Sequence, residues 1–168
     1  MYQRVAFISL PATVLFFSLS NALPAAAQTA TTQFNVQMTI VGECKINSAA
    51  NLNFGSVGII GSNLDATSNL VVQCTNGTSY TLGFDNGTGS GATSALRKMT
   101  GPNSETIGYA LYSDAARSSV WGNTVGTNTK TGVGNGNAQT FTIYGRVAPQ
   151  TTPAAGSYAD TVTVTLTY

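Results

Sequence analysis

The feature that most restricts this chain is its alternation. Four separated runs set apolar residues at every second position: Phe34, Val36, Met38 and Ile40; Tyr80, Leu82 and Phe84; Phe141, Ile143 and Gly145; and Val162, Val164, Leu166 and Tyr168. Successive side chains of a strand point to opposite faces, so each run is the pattern of a half-buried strand. Composition argues against helix: from residue 28 onward there are 24 Thr, 13 Asn and 18 Gly, which favour strands or turns and weaken helices. Turn signals separate the runs, at Asn76-Gly77, Asp85-Asn86-Gly87, Gly101-Pro102-Asn103 and Gly134-Asn135-Gly136. With Leu52 to Phe54, Leu70 to Cys74, Ile107 to Tyr112 and Val120-Trp121 added, the expectation is about eight or nine short strands. That predicts an all-β fold, an immunoglobulin-like antiparallel β-sandwich, with a closed barrel as the runner-up. Gly122 to Gln139 is too long for a tight hairpin and is expected to be a mobile surface loop.

The first 27 residues have the layout of a secretory signal peptide: Arg4 near the amino terminus, an apolar run from Val5 to Leu19, and Ala25-Ala26-Ala27 as a small-residue cleavage signal. Pro11 and Pro24 interrupt the segment, and its apolar core is shorter than the roughly 18 residues a membrane span requires. The expectation is therefore export, passage through the periplasm to the cell surface or medium, and no stable membrane insertion once the leader is removed. In an oxidising compartment Cys44 and Cys74, with 29 residues between them, read as one disulfide.

After removal of the leader, six basic and six acidic residues balance to zero. No basic cluster is present, so nucleic acid is not an expected partner. The chain has no His and only two Cys, which removes the usual zinc ligands and the commonest general base. No cofactor, metal or catalytic residue is expected, and the chain is read as not an enzyme. Asp114 and Arg117, three apart, are expected to form an ion pair in a turn beside Trp121. Asp85-Asn86-Gly87-Thr88-Gly89 lacks the spacing and terminal Glu of a calcium loop and reads as a hairpin turn. Tyr109, Tyr112, Trp121, Tyr144 and Tyr158 read as packing aromatics, with a sugar platform as the alternative.

Two further signs lie near the ends. The last alternating run continues to Tyr168, and the run from Ala30 to Val41 begins just after the cleavage signal. A sandwich that lacks its closing strand exposes core and an unpaired backbone row unless another chain fills the gap. Period-2 alternation does not say which chain a strand pairs with, and from its residues alone Ala30 to Val41 reads as an ordinary first strand.

Several separated motifs then carry a family likeness. Phe34-Asn35-Val36 leads to Val41-Gly42-Glu43-Cys44, followed by Leu52-Asn53-Phe54-Gly55, Val72-Gln73-Cys74 and the run Tyr109 to Arg117, with Trp121-Gly122 after it. Tyr144-Gly145-Arg146-Val147, Pro153 and Gly156 to Thr161 complete the series. In this order they resemble the spore coat protein U domain family, whose members include subunits of archaic chaperone-usher pili. The resemblance implies an incomplete sandwich whose final strand comes first from a periplasmic chaperone and then, at an outer-membrane usher, from the next subunit. It divides the chain into a donor segment, 28–43, and a pilin-type domain, 44–168. Phe34, Val36, Met38 and Ile40 would enter a neighbouring copy or related pilin, and Val162, Val164, Leu166 and Tyr168 would line the acceptor groove and contact the chaperone. The implied function is a fibre subunit supporting adhesion and biofilm formation. The alternatives are a self-contained secreted spore, cyst or envelope coat protein and a small carbohydrate-binding module.

Overall fold

The computed structural model describes residues 25–168; all but the last three residues of the expected leader lie outside the described residues. The chain divides between Met38 and Thr39. Residues 25–38 carry no strand and are exposed throughout. The alternating run at Phe34 therefore has no ladder in this structure.

Residues 39–168 build two antiparallel sheets from eight strands. These are β1 (Cys44–Ala49), β2 (Leu64–Cys74), β3 (Ser79–Phe84), β4 (Arg97–Thr100), β5 (Thr106–Tyr112), β6 (Lys130–Val133), β7 (Ala138–Val147) and β8 (Val164–Thr167). The larger sheet has the order β1-β2-β7-β5-β4 and the smaller β6-β3-β8. The core forms between them. Leu70 and Val72 of β2, Tyr109 and Leu111 of β5, and Ile143 and Val147 of β7 are buried, as are Tyr80, Leu82 and Phe84 of β3. In β2 and β7 the buried positions are two apart, as the alternation requires, while β3 and β5, covered on both faces at one end, also bury Gly83 and Ala110. Trp121, 1 % exposed, seals the core from a loop. Its Nε1 donates to the Leu82 carbonyl at 2.9 Å, and its ring centroid lies 4.5 Å from that of Phe84.

Cys44 and Cys74 are joined as a disulfide, with S–S 2.05 Å. They face each other in the β1–β2 ladder, so the bridge ties the first residue of an edge strand to its one neighbour among the described residues.

Three expectations are corrected. Gly122 to Gln139 is not all loop: β6 lies inside it and pairs with β3 from Ser79↔Val133 to Leu82↔Lys130. The sequence Lys-Thr-Gly-Val is too short and too polar to signal a strand, and the tertiary fold supplies the partner. Leu52 to Phe54 is not a strand; it carries no ladder, yet Leu52 and Phe54 pack against the core. They do so across Gly145, where an added Cβ would stand 2.8 Å from Leu52 and 2.9 Å from Phe54. Glycine lets these two side chains lie flat on the sheet; a larger residue there would push their ends aside. The third correction concerns Asp114 and Arg117. Asp114 instead accepts from the Ser119 and Ser118 amides at 2.7 and 3.2 Å. Arg117, with φ of 56°, turns back to Asp65 at 3.3 Å. A turn whose amides need an acceptor takes the carboxylate first.

Candidate assembly groove

Both sheets end in a strand bonded on one side only. β1 is bonded to β2, and β8 to β3, among the described residues. β1 and β8 come within 8 Å of each other without forming a ladder. Beyond them the chain continues as two irregular walls, Asn51 to Phe54 on one side and Tyr158 to Thr163 on the other, the backbone of the second held to the body by the Thr100–Ala159 bridge and the Asp85–Thr163 contact. They enclose a cavity of about 580 Å³ whose floor is Phe84, Tyr109, Leu111 and Ile143. A second cavity of about 590 Å³ adjoins it, shares Leu52, Phe54, Met99 and Tyr158, and extends to Ile60, Leu64, Ile107 and Val147. The site is a long cleft with polar rims and an apolar floor that belongs to the core of the sandwich.

Local chemistry explains why the C-terminal wall does not join a ladder earlier. Strand β8 begins only at Val164, where it pairs with Phe84, and it runs to Thr167 opposite Thr81. Ahead of it, the Thr163 amide donates to Asp85 Oδ1 at 2.9 Å and the Thr163 carbonyl accepts from the Asp85 amide at 3.1 Å. Asp160 is the one charged residue lining either cavity. Its Oδ1 accepts from the Thr88 amide at 2.7 Å and the Thr88 hydroxyl at 2.8 Å, and its Oδ2 from the Tyr109 hydroxyl at 2.7 Å. Burial, together with that carboxylate, pushes the Tyr109 phenol far above its ordinary value. The carboxylate is thus engaged in holding the wall.

Beneath this wall lies Arg97, whose side chain is fully buried. Its guanidinium donates to four backbone carbonyls: Asp85 at 2.8 Å, Ser94 at 2.9 Å, Phe84 at 3.2 Å and Trp121 at 2.8 Å. Burial lowers its pKa, yet a guanidinium stays charged. The charge is dispersed over four carbonyl dipoles. Nothing in the local sequence around Arg97 marks it, because its partners come from three separate segments.

Of the residues expected in the acceptor groove, Val162 and Val164 line it. Leu166 sits in β8 opposite Leu82 and packs on the core, while Tyr168 follows the strand and is 61 % exposed. The structure adds Leu52, Phe54, Met99 and Ile107, which alternation did not reveal because most of them sit outside the long strands. Of the expected donor residues, Phe34, Val36 and Met38 are 84 to 86 % exposed and Ile40 is 68 % exposed. Trp121 is buried, so the sugar-platform reading loses its largest ring. Asp85 accepts the Gly87 amide at 2.9 Å in a local turn, but the expected hairpin is not formed: β3 and the next strand, β4, belong to different sheets, so the turn passes the chain from one sheet to the other. Among the described residues no group of three His, Cys, Asp or Glu is placed to hold a metal ion.

These features define a class: an all-β, immunoglobulin-like sandwich with an apolar-floored cleft beside two sheet edges, β1 and β8, that carry no further strand among the described residues. The model of the spore coat protein U domain family matches residues 30–165, and the chain belongs to that family. Protein U of Myxococcus xanthus is 35% identical over 178 residues, covering 98% of this chain and 96% of that protein. Among solved structures, the fold is similar to that of a chain in the CsuC-CsuE chaperone-tip adhesion subunit pre-assembly complex from archaic chaperone-usher Csu pili of Acinetobacter baumannii. The TM-score is 0.58 at 19% identity, over 77% of this chain and 41% of that one; at that identity the likeness concerns the fold.

Proposed function

We propose that this chain is a structural subunit of a secreted surface fibre of the archaic chaperone-usher type, built by donor-strand complementation. The observation that carries the reading is the cleft, in which two edge strands flank an opening floored by side chains of the core. An unpaired edge beside an apolar opening invites an added strand. Residues 28–43 would supply that strand to the next copy or to a related pilin, with Phe34, Val36, Met38 and Ile40 facing inward. Burying four such side chains contributes very roughly 6 to 12 kcal/mol before the cost of ordering the segment. Val162 and Val164 form the C-terminal side of the acceptor, and Leu166 and Tyr168, further along the same run, would extend the edge to which the donor or chaperone is added. A periplasmic chaperone would hold the cleft until an outer-membrane usher exchanges it for a donor, following export directed by residues 1–27. Head-to-tail joining does not close on itself, so the product is a filament suited to adhesion and biofilm formation.

Deleting residues 30–41 tests the reading. The truncated subunit is expected to remain soluble with its chaperone and to form no fibres; unchanged fibres would overturn it.

The family description and the 35% identity to Protein U favour a second reading, a self-contained coat protein. It requires a chain that folds without a chaperone. Purification of the mature chain alone as a folded, monodisperse monomer selects the coat reading, and aggregation relieved by a peptide of residues 30–41 selects the fibre.

A further inference from the structure

Three Asn-Gly pairs lie in exposed turns: Asn76-Gly77, Asn86-Gly87 and Asn135-Gly136. Asn is chemically labile, and Asn-Gly is its most reactive setting because glycine places no side chain beside the attacking nitrogen. The Gly nitrogen loses its proton and bonds to the Asn side-chain carbonyl carbon; ammonia leaves and a succinimide ring forms. Water then opens the ring to aspartate or isoaspartate. Water is the only co-reactant, and all three Asn side chains are exposed to it.

Each of the three glycine amides is already engaged. Gly77 donates to the Gly134 carbonyl at 2.9 Å and Gly136 to the Cys74 carbonyl at 3.1 Å. Gly87 donates to Asp85 Oδ1 at 2.9 Å. Every lock holds the nitrogen that would attack. We infer that the fold suppresses deamidation at all three turns, and that Asn86-Gly87 is a modification site whose reactivity reports on the C-terminal wall of the cleft.

The distinction between the sites is structural. The locks on Gly77 and Gly136 are backbone hydrogen bonds that zip two neighbouring turns together beside the disulfide. The lock on Gly87 is a single carboxylate oxygen, which also accepts from the Thr163 amide. The next residue, Thr88, is held by Asp160 through both its amide and its hydroxyl. The Asn86 turn is therefore fixed from Asp160 to Thr163. If that wall is displaced, Asp85 loses the Thr163 amide and Thr88 loses Asp160, and the Gly87 amide is left on a carboxylate that nothing else positions, while the other two turns keep their backbone locks.

The test is peptide mapping for isoaspartate and for the one-dalton gain at the three Asn. It is run on the purified oxidised chain at pH 8 and 37 °C, with the same chain reduced and unfolded in urea as reference. All three sites are expected to react more slowly in the folded chain, by about tenfold, the factor one hydrogen bond of about 1.4 kcal/mol supplies. Asp85→Ala is expected to raise the Asn86 rate by about that factor with Asn76 and Asn135 unchanged. Asp85→Asn, which keeps an acceptor oxygen without the charge, should fall between. Equal folded and unfolded rates at Asn86 would overturn the inference. So would an Asp85→Ala protein with native tryptophan fluorescence and an unchanged Asn86 rate, or, if that variant does not fold, an Asp85→Asn protein that reacts no faster than the parent.

Discussion

Strand β3 and the segment around Phe34 carry the same sequence pattern with opposite results. Tyr80, Leu82 and Phe84 are at most 3 % exposed, whereas Phe34, Val36 and Met38 are at least 84 % exposed. The difference is not in hydrophobicity or spacing. β3 has β6 on one side, β8 on the other and Trp121 against Phe84; the Phe34 segment has no ladder among the described residues. Alternation specifies that a strand has an apolar face. It does not supply the surface that covers that face.

The largest predicted effect tests what holds β3 in place. Arg97→Ala removes donors from four carbonyls at once and is expected to cost about 4 to 5 kcal/mol, measured as a shift in urea midpoint or as failure to fold. Next is the disulfide. Opening a loop of this length is expected to cost about 3.5 kcal/mol in the chain-entropy model, so Cys44→Ala/Cys74→Ala should unfold at markedly lower urea, with β1 the first element to lose hydrogen-exchange protection.

The direct comparison comes third. Leu82→Ala is expected to cost about 3 kcal/mol, whereas Met38→Ala should shift the subunit's own unfolding by less than about 0.5 kcal/mol, as exposed sites do. Under the fibre reading Met38→Ala instead weakens the joint between subunits, seen as fibres that dissociate at lower denaturant. A Met38 variant that destabilises the isolated subunit as much as Leu82→Ala would erase the contrast.

The smallest effect is pH dependence. The hydrogen bond from Arg146 holds Asp65 below the ordinary value of 3.8. Burial pushes Asp85 up, but hydrogen bonds from Thr163 and Gly87 outweigh it and leave Asp85 lowered as well. Groups depressed in the folded state stabilise it at neutral pH, and that stability is lost as pH falls below 3.8. Tyr109 works in the opposite sense: pushed above 10.0 mainly by burial, it favours the folded state until pH rises past 10.0. Unfolding midpoints measured from pH 3 to 11 should be flat in the middle and fall at both ends. Asp65→Asn should soften the acid limb alone, and only slightly, because exposed ion pairs contribute little.

Much of this was legible in advance, for reasons that can be traced to particular residues. β3, β7 and the end of β2 were readable because Leu70, Val72, Leu82 and Ile143 recur at the strand period within long runs. Cys44 and Cys74 were readable as a pair because they were the only two. β6 was not, since four residues with one apolar side chain carry no period. Arg97 was not, since its partners are backbone atoms from distant segments that no side-chain pattern records. The cleft was half legible: Val162 and Val164 stand in an alternating run, but Leu52, Phe54 and Met99 reach it from segments whose shape depends on what they pack against.

The sequence by itself determined an all-β sandwich, because alternation and turn residues act within a few positions of one another. It also determined the family, because motifs spread along residues 30–165 keep a common order. Tertiary structure alone decided which edges remain unpaired, where the cleft opens and which carbonyls need Arg97. Those properties belong to surfaces brought together from opposite ends of the chain, and a local pattern cannot encode a partner it does not touch.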